Sequence, residues 1–386
     1  MIFHLLSAKG AERPTREKLL GGRIQVISRS GLNLCETALI HALPEITLDP
    51  PAGKQPHVLT IGNRTGVIGQ AAADYFAGSA TLHSFDIHHY KTMGTNILAG
   101  MRNVATRICQ ADLPTADMYD LGLFQLNRGN MSTELVYDMV QQTLKRLNPK
   151  GRLAFAIEGT PLWLVKRLKD YFRNVQITSP NRSVTIVQAS NLKDGIKQKS
   201  FAADLSVTLP HGIAFPIVTY PGVFAHRRPD AGGLALAESV DVSDGDRVLD
   251  MGCGSGMIGI GMAKMAKLEK LTLVDSHARA IKASQENIVS NQLTDIADVI
   301  QSDGADEDFQ TLVGKYSLFV GNPPYYSQNQ VTQRFVELSF EVLQPGGRAC
   351  FVTKQPEWLG QEIERYFGEV QFFSRRHYTI LRSVKP

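Results

Sequence analysis

Two short stretches of this 386-residue chain carry residue types that could do chemistry. The first is Asp250-Met251-Gly252-Cys253-Gly254-Ser255-Gly256-Met257-Ile258-Gly259. Its glycines let a backbone turn sharply and approach a ligand closely. The spacing of Gly254, Gly256 and Gly259 also fits the dinucleotide fingerprint, with Asp275 following where a ribose-binding acid would stand. Charge separates the possible ligands. Asp250 precedes the first glycine, and a carboxylate there would face the pyrophosphate of a dinucleotide, a like-charge contact. S-adenosylmethionine carries a sulfonium and an ammonium group and no phosphate, so the same carboxylate would stabilise it. Asp275 would accept hydrogen bonds from the ribose hydroxyls. Asp303, in Ser302-Asp303-Gly304-Ala305, would accept one from the adenine amino group. The expected cofactor site is therefore Asp250, Gly252, Gly254, Gly256, Asp275, Asp303 and Gly304, joined by Asn322. A plain structural turn with capping aspartates is the competing explanation. The placement of all three acids at or after strand ends argues against it.

The second stretch is Asn322-Pro323-Pro324-Tyr325. An exocyclic amine on a base, or a carboxamide, is a poor nucleophile because its lone pair is delocalised. Two acceptors aimed at its N–H groups favour a pyramidal nitrogen and direct the lone pair outward. The Asn322 side-chain oxygen and the Pro323 carbonyl are those acceptors, and prolines remove competing backbone donors. Tyr325 offers a face on which a planar acceptor can stack. No strong base is needed, because the amine becomes acidic only as transfer proceeds. The catalytic set is Asn322, Pro323 and Tyr325, and the chemistry is methyl transfer by positioning and exclusion of water.

These residues must be held by strands and helices. Apolar runs at 247–251, 271–274, 297–301, 316–321 and 348–353 read as strands. Helical patterns at 257–267, 279–291 and 333–343 alternate with them. That alternation predicts a doubly wound α/β fold with a parallel sheet, whose ligands lie beyond the carboxyl ends of the strands. The pattern occurs twice. The stretch Leu59 to Gly69 matches Leu249 to Gly259 at a constant offset. Leu147, Pro149, Gly151, Arg152 and Phe155 match Leu343, Pro345, Gly347, Arg348 and Phe351. The only two tryptophans, Trp163 and Trp358, fall in register. The sequence therefore predicts two tandem Rossmann-like domains, 1–190 and 205–386, joined by a linker at 191–204. The first copy reads as degenerate. Thr60 and Arg64 stand where Asp250 and Gly254 stand, and Asn127-Arg128-Gly129 replaces the Asn-Pro-Pro turn.

Charge divides the same way. The net +4 splits into +9 for residues 1–200 and −5 for 201–386. A basic half beside an acidic half fits a polyanion-binding module next to a cofactor module. No apolar run is long enough for a membrane span. The four cysteines are scattered, which speaks for reduced thiols, a cytoplasmic location and no metal site.

The Asp-x-Gly-x-Gly-x-Gly turn followed by Asn-Pro-Pro-Tyr resembles the amino methyltransferases that act on adenine N6, guanine N2 or protein glutamine. The segment Tyr220-Pro221-Gly222-Val223-Phe224-Ala225, leading into Asp230-Ala231-Gly232-Gly233-Leu234, narrows this. It is similar to a segment of the bacterial two-domain ribosomal RNA (guanine-N2)-methyltransferases, which are also tandem duplications with a degenerate first copy. That resemblance implies guanine-N2 methylation of ribosomal RNA, the small subunit favoured; the basic first half is expected to dock the RNA or an assembling subunit, and the chain to be a monomer. The family usually has Phe-His where this chain has Tyr325-Tyr326, so adenine-N6 methylation of RNA or DNA stays open. So do protein glutamine methylation and an inactive RNA-binding protein.

Overall fold

The computed structural model describes residues 15–28, 31–50, 53–62, 66–76, 79–87, 106–115, 117–126, 131–324 and 330–386. The chain divides into two compact units, Met1–Ser200 and Phe201–Pro386. In the first, a hairpin of β1 (Thr15–Leu19) and β2 (Ile24–Ser28) accompanies a sheet. The sheet's described strands are β3 (His57–Ile61), β4 (Thr81–Asp86), β5 (Thr106–Cys109), β6 (Tyr119–Leu126), β7 (Leu147–Glu158), β8 (Phe172–Thr178) and β9 (Val184–Leu192). The described helices are α1 (Leu34–Ala42), α2 (Val67–Tyr75), α3 (Thr133–Leu144) and α4 (Leu162–Tyr171).

The second unit opens with a hairpin of β10 (Ala203–Thr208) and β11 (Ala214–Thr219). Its sheet contains β12 (Arg247–Met251), β13 (Lys270–Asp275), β14 (Ala297–Gln301), β15 (Tyr316–Gly321), β16 (Leu343–Thr353), β17 (Gln371–Arg375) and β18 (Tyr378–Val384). Its described helices are α5 (Ala231–Ala237), α6 (Met257–Met265), α7 (Ala278–Ser290), α8 (Glu307–Gln310), α9 (Gln330–Val342) and α10 (Pro356–Phe367).

The two sheets have the same strand order, β5-β4-β3-β6-β7-β9-β8 and β14-β13-β12-β15-β16-β18-β17. Even an irregularity is shared. Tyr119 pairs with Leu147 and Tyr316 with Leu343, and each register shifts immediately after. The repeat seen in the sequence is thus a repeat of fold.

Both faces of the second sheet are covered, so its strands are continuously apolar. Successive residues point to opposite faces. Val248 and Val320 pack on one side with Ile258, Ile260 and Met262 of α6. Leu249 and Phe319 pack on the other with Val336 and Leu338 of α9 and Ile363 of α10. Trp163 and Trp358 occupy equivalent helices and pack against their own cores.

The sheets are mixed, where strand–helix alternation implied parallel ones. The four strands β14 to β15 and the adjoining β16 run parallel, but β18 is antiparallel to β16 and pairs with β17 in a hairpin. Two-residue hairpin turns need positive φ at both central positions and normally use Asn-Gly. Here Arg376 and His377 adopt φ 51° and 63° without a glycine, so the usual signal is missing. β9 runs to Leu192, and Lys199 exchanges two hydrogen bonds with the Gln141 side chain, which ties the end of the expected linker to the first unit.

Gly259 is where α6 meets the sheet most closely. A Cβ there would sit 2.5 Å from Leu273 Cδ2 and 2.9 Å from Leu271 Cδ1. Gly259→Ala should therefore lower stability by about 1–3 kcal/mol, the range for an overpacked core. Denaturant unfolding measures it, and an unchanged midpoint would show that the helix can retreat freely.

Candidate active site

The sequence-marked residues of the second unit collect at the carboxyl ends of four adjacent strands. Met251 pairs with Gly321 across β12 and β15, which brings Gly252 beside Asn322. On the other side the Gly252 and Cys253 amides donate to Val274 O, next to Asp275. The Ser302 amide donates to Asp275 O, so the segment holding Asp303 follows on the next strand. Asp250, the glycine turn, Asp275, Asp303 and Asn322 thus share one edge of the sheet.

The turn is built by backbone geometry that side chains resist. Gly252, Gly254 and Gly256 have φ of 69°, 58° and 79°. They do different work. A Cβ at Gly252 would strike the Phe335 ring at 2.9 Å, and one at Gly256 would strike Leu273 at 2.9 Å. A Cβ at Gly254 would meet only Val223, at 3.9 Å. Gly254 is therefore the glycine that faces open space, where a ligand can lie against bare backbone. Helix α7 braces the turn from behind. Ser284 Oγ donates to Gly254 O at 3.1 Å, and Asn287 Nδ2 donates to Ser255 O at 2.8 Å. Sequence reasoning missed these two residues, because a serine and an asparagine inside a helix carry no distinguishing pattern.

The acids are placed unequally. Asp250 is fully buried beneath the turn, and its Oδ2 accepts from the Gly259 amide at 2.9 Å. Its Oδ1 is buried without a hydrogen-bond partner. Burial pushes this carboxyl up to about 7, opposed by the Gly259 bond and reinforced by the nearby Asp275 charge. Asp275 is half-buried. Its two oxygens accept from Gly254 N at 2.9 Å and His277 N at 2.8 Å. Burial raises its pKa against those bonds. Asp303 is half-buried and accepts from Ala305 N at 3.2 Å. Gly304 has φ 81° and lies so close to Leu338 that a Cβ would sit 2.4 Å from it.

Two raised carboxyls beside an open glycine form a site short of positive charge. An orphaned buried oxygen and a bare-backbone cradle fit a cationic ligand carrying hydroxyl groups, the chemistry of S-adenosylmethionine. Asp250 and Asp275 with Gly254 would hold it.

Asn322 follows β15, and Pro323 is buried behind it. The Asn322 Nδ2 donates to Asp230 Oδ2 at 2.7 Å. Asp230 is a residue whose role the sequence did not reveal. It was visible only within the segment resembling the RNA methyltransferases. Tyr325 lies outside the described residues, as do Arg64 and Asn127-Arg128-Gly129 of the first copy. In that copy Thr60 is buried at the Asp250 position, with an orphaned hydroxyl and no charge. Asp112, three residues beyond the end of β5, accepts from the Gln142 side chain at 2.7 Å. Among the described residues no cluster of His, Cys, Asp and Glu suits a metal, and no helix is long and apolar enough to cross a membrane.

Residues 214–382 match the family model of the methyltransferase small domain. The T. thermophilus 16S rRNA N2 methyltransferase, solved with AdoMet and guanosine, superposes with a TM-score of 0.76 over 97% of this chain and 99% of its own, at 18% identity. The fold and the site together define an S-adenosylmethionine-dependent methyltransferase built from two Rossmann-like domains. Among sequence relatives, ribosomal RNA small subunit methyltransferase C of Shewanella baltica is 27% identical over 335 residues, 82% of this chain and 90% of that protein. That of Stutzerimonas stutzeri is 28% identical over 250 residues, 60% of this chain and 73% of the relative. That of Pasteurella multocida is 33% identical over 156 residues, 39% of this chain, and the match spans under half of it, 46%. Over most of its length the chain is similar to these ribosomal RNA small subunit methyltransferases.

The raised Asp250 carboxyl should make cofactor binding pH-dependent. In the free protein the group stays neutral up to about 7, whereas its ordinary value is 3.8. That preference stabilises the free fold fully below 3.8 and is lost as pH rises through about 7. A bound cation favours the ionised form, so affinity should climb between pH 5 and pH 7, roughly, and level off above. Calorimetry in buffers of different ionisation enthalpy should show proton release, and Asp250→Asn should flatten the profile. An unchanged profile in that variant would remove Asp250 as the titrating group.

Proposed function

We propose that this chain methylates the exocyclic N2 amine of a guanine in small-subunit ribosomal RNA. The observation that carries the proposal is Asn322, fixed at the end of β15, one strand from the glycine turn and on the same sheet edge as Asp275. S-adenosylmethionine supplies a methyl group on a cationic sulfur, which leaves as a neutral thioether when the amine lone pair takes the methyl carbon. The chain's own part is orientation. Asn322 Oδ1 and the Pro323 carbonyl accept the two amine hydrogens, which sets the nitrogen pyramidal and aims its lone pair. The amine's surplus proton passes to solvent after transfer. Tyr325 provides the stacking face for the base.

Support for guanine comes from relatives. The T. thermophilus enzyme is an N2 methyltransferase of 16S rRNA seen with guanosine, and the curated relatives are small-subunit ribosomal RNA methyltransferases. Support for an RNA-docking first half is the charge split, +9 for residues 1–200 against −5 for the rest. The second unit supplies the acids a cationic cofactor needs, and the first supplies the cations a phosphate backbone needs. The cytoplasm, which keeps thiols reduced, is the expected compartment, and a monomer the expected state.

Asn322→Ala should leave cofactor affinity near wild type and lower kcat by about 100-fold or more, by analogy with one donor lost from a preorganised site. Nucleoside analysis of ribosomal RNA methylated by the wild-type protein should return N2-methylguanosine. N6-methyladenosine would overturn the guanine assignment and keep the role of Asn322. Full activity in the variant would overturn that role.

A further inference from the structure

The contact between Asn322 and Asp230 constrains more than position. Asp230 is the N-cap of α5, and its Oδ2 accepts from Gly233 N at 2.6 Å. The same oxygen accepts from Asn322 Nδ2 at 2.7 Å. An ionised carboxylate has no hydrogen to donate, so only the NH2 end of the amide can face it. The oxygen of Asn322 must then point away from Asp230. Without such a partner either end of the amide, oxygen or NH2, could face the same neighbour. The two glycines after Asp230 keep the carboxylate folded back over the helix start. A Cβ at Gly232 would lie 3.2 Å from Asp230 Oδ2 and 3.1 Å from the Tyr378 ring. One at Gly233 would lie 3.3 Å from the same oxygen and 2.7 Å from Met257. The carboxylate is thus boxed between α5 and the residue that follows β15.

We infer that Asp230 is a positioning residue for methyl transfer, locking the Asn322 amide so that its oxygen faces the acceptor amine. The inference rests on the reading of Asn322 given above. Asp230 acts in two ways through one hydrogen bond. It selects the amide orientation that offers an acceptor and not a competing donor. Its charge also polarises the amide, which strengthens Oδ1 as an acceptor while positive charge grows on the attacking nitrogen. The helix cap is a separate duty of the same oxygen, and the two can be pulled apart by mutation.

Serine caps a helix about as well as aspartate but cannot span the distance to Asn322. Asp230→Ser in the full chain should keep its melting temperature within a few degrees and its affinity for S-adenosylhomocysteine. Its kcat on ribosomal RNA should fall roughly 10- to 100-fold, the range for coupled neighbours, with KM for RNA little changed. The decisive arm is the double variant with Asn322→Ala. If Asp230 acts only through Asn322, the double variant is no slower than Asn322→Ala alone. Multiplying losses, or wild-type kcat in Asp230→Ser, would overturn the inference. Should the serine variant unfold, Asp230→Asn serves in the same cycle. It keeps the cap but lets the Asn322 amide flip, so a several-fold loss is expected with Asn322 present and none with Asn322→Ala; equal losses in both backgrounds would overturn it. Full activity in Asn322→Ala alone is a different failure, that of the parent reading.

Discussion

The bond from the Gly259 amide to the buried Asp250 carboxylate holds the second unit's working edge in place. It closes the turn between β12 and α6 on itself, so strand end and helix start cannot drift apart. Gly259 packs closely on Leu273 and Leu271 at the same place, while the backbone at Gly254 faces open space. The arrangement carries a cost. A carboxylate held away from water resists ionisation, and Asp275 nearby adds to the resistance. A bound cation would relieve that resistance, which is why Asp250 and Asp275 are proposed to hold S-adenosylmethionine.

Placed beside its own first copy, the site shows what the fold alone does not provide. Both sheets have one strand order, and Gly62 and Gly66 keep the left-handed backbone of Gly252 and Gly256. The scaffold therefore outlasts the chemistry. Thr60 leaves the first turn without the charge of Asp250, and Asp112 is engaged by Gln142. That half carries the surplus of lysine and arginine on which its proposed contact with phosphates rests.

Much of this was readable in the residues. Strands at 247–251, 297–301 and 316–321 are marked by short apolar runs alternating with helical patterns, and the structure has strands over those residues. Helix ends were less legible. α9 begins at Gln330, earlier than its apolar period suggests, and α6 stops at Met265. The β17–β18 hairpin escaped notice because Arg376 and His377 take positive φ without the customary glycine. Within the site, glycines and acids announced themselves through spacing. Asp230, Ser284 and Asn287 did not, because their partners lie 92, 30 and 32 residues away in sequence. Contacts of that range depend on how strands and helices stack, which no local pattern encodes.

A division of labour between two copies of one fold is the central proposal. Its most direct test is the stoichiometry of S-adenosylhomocysteine binding to the full chain, measured by calorimetry. One site per chain is expected, lost in Asp275→Ala and kept in Asp86→Ala, since Asp86 holds the matching place at the end of β4. Two equivalent sites, or one that disappears with Asp86, would contradict it.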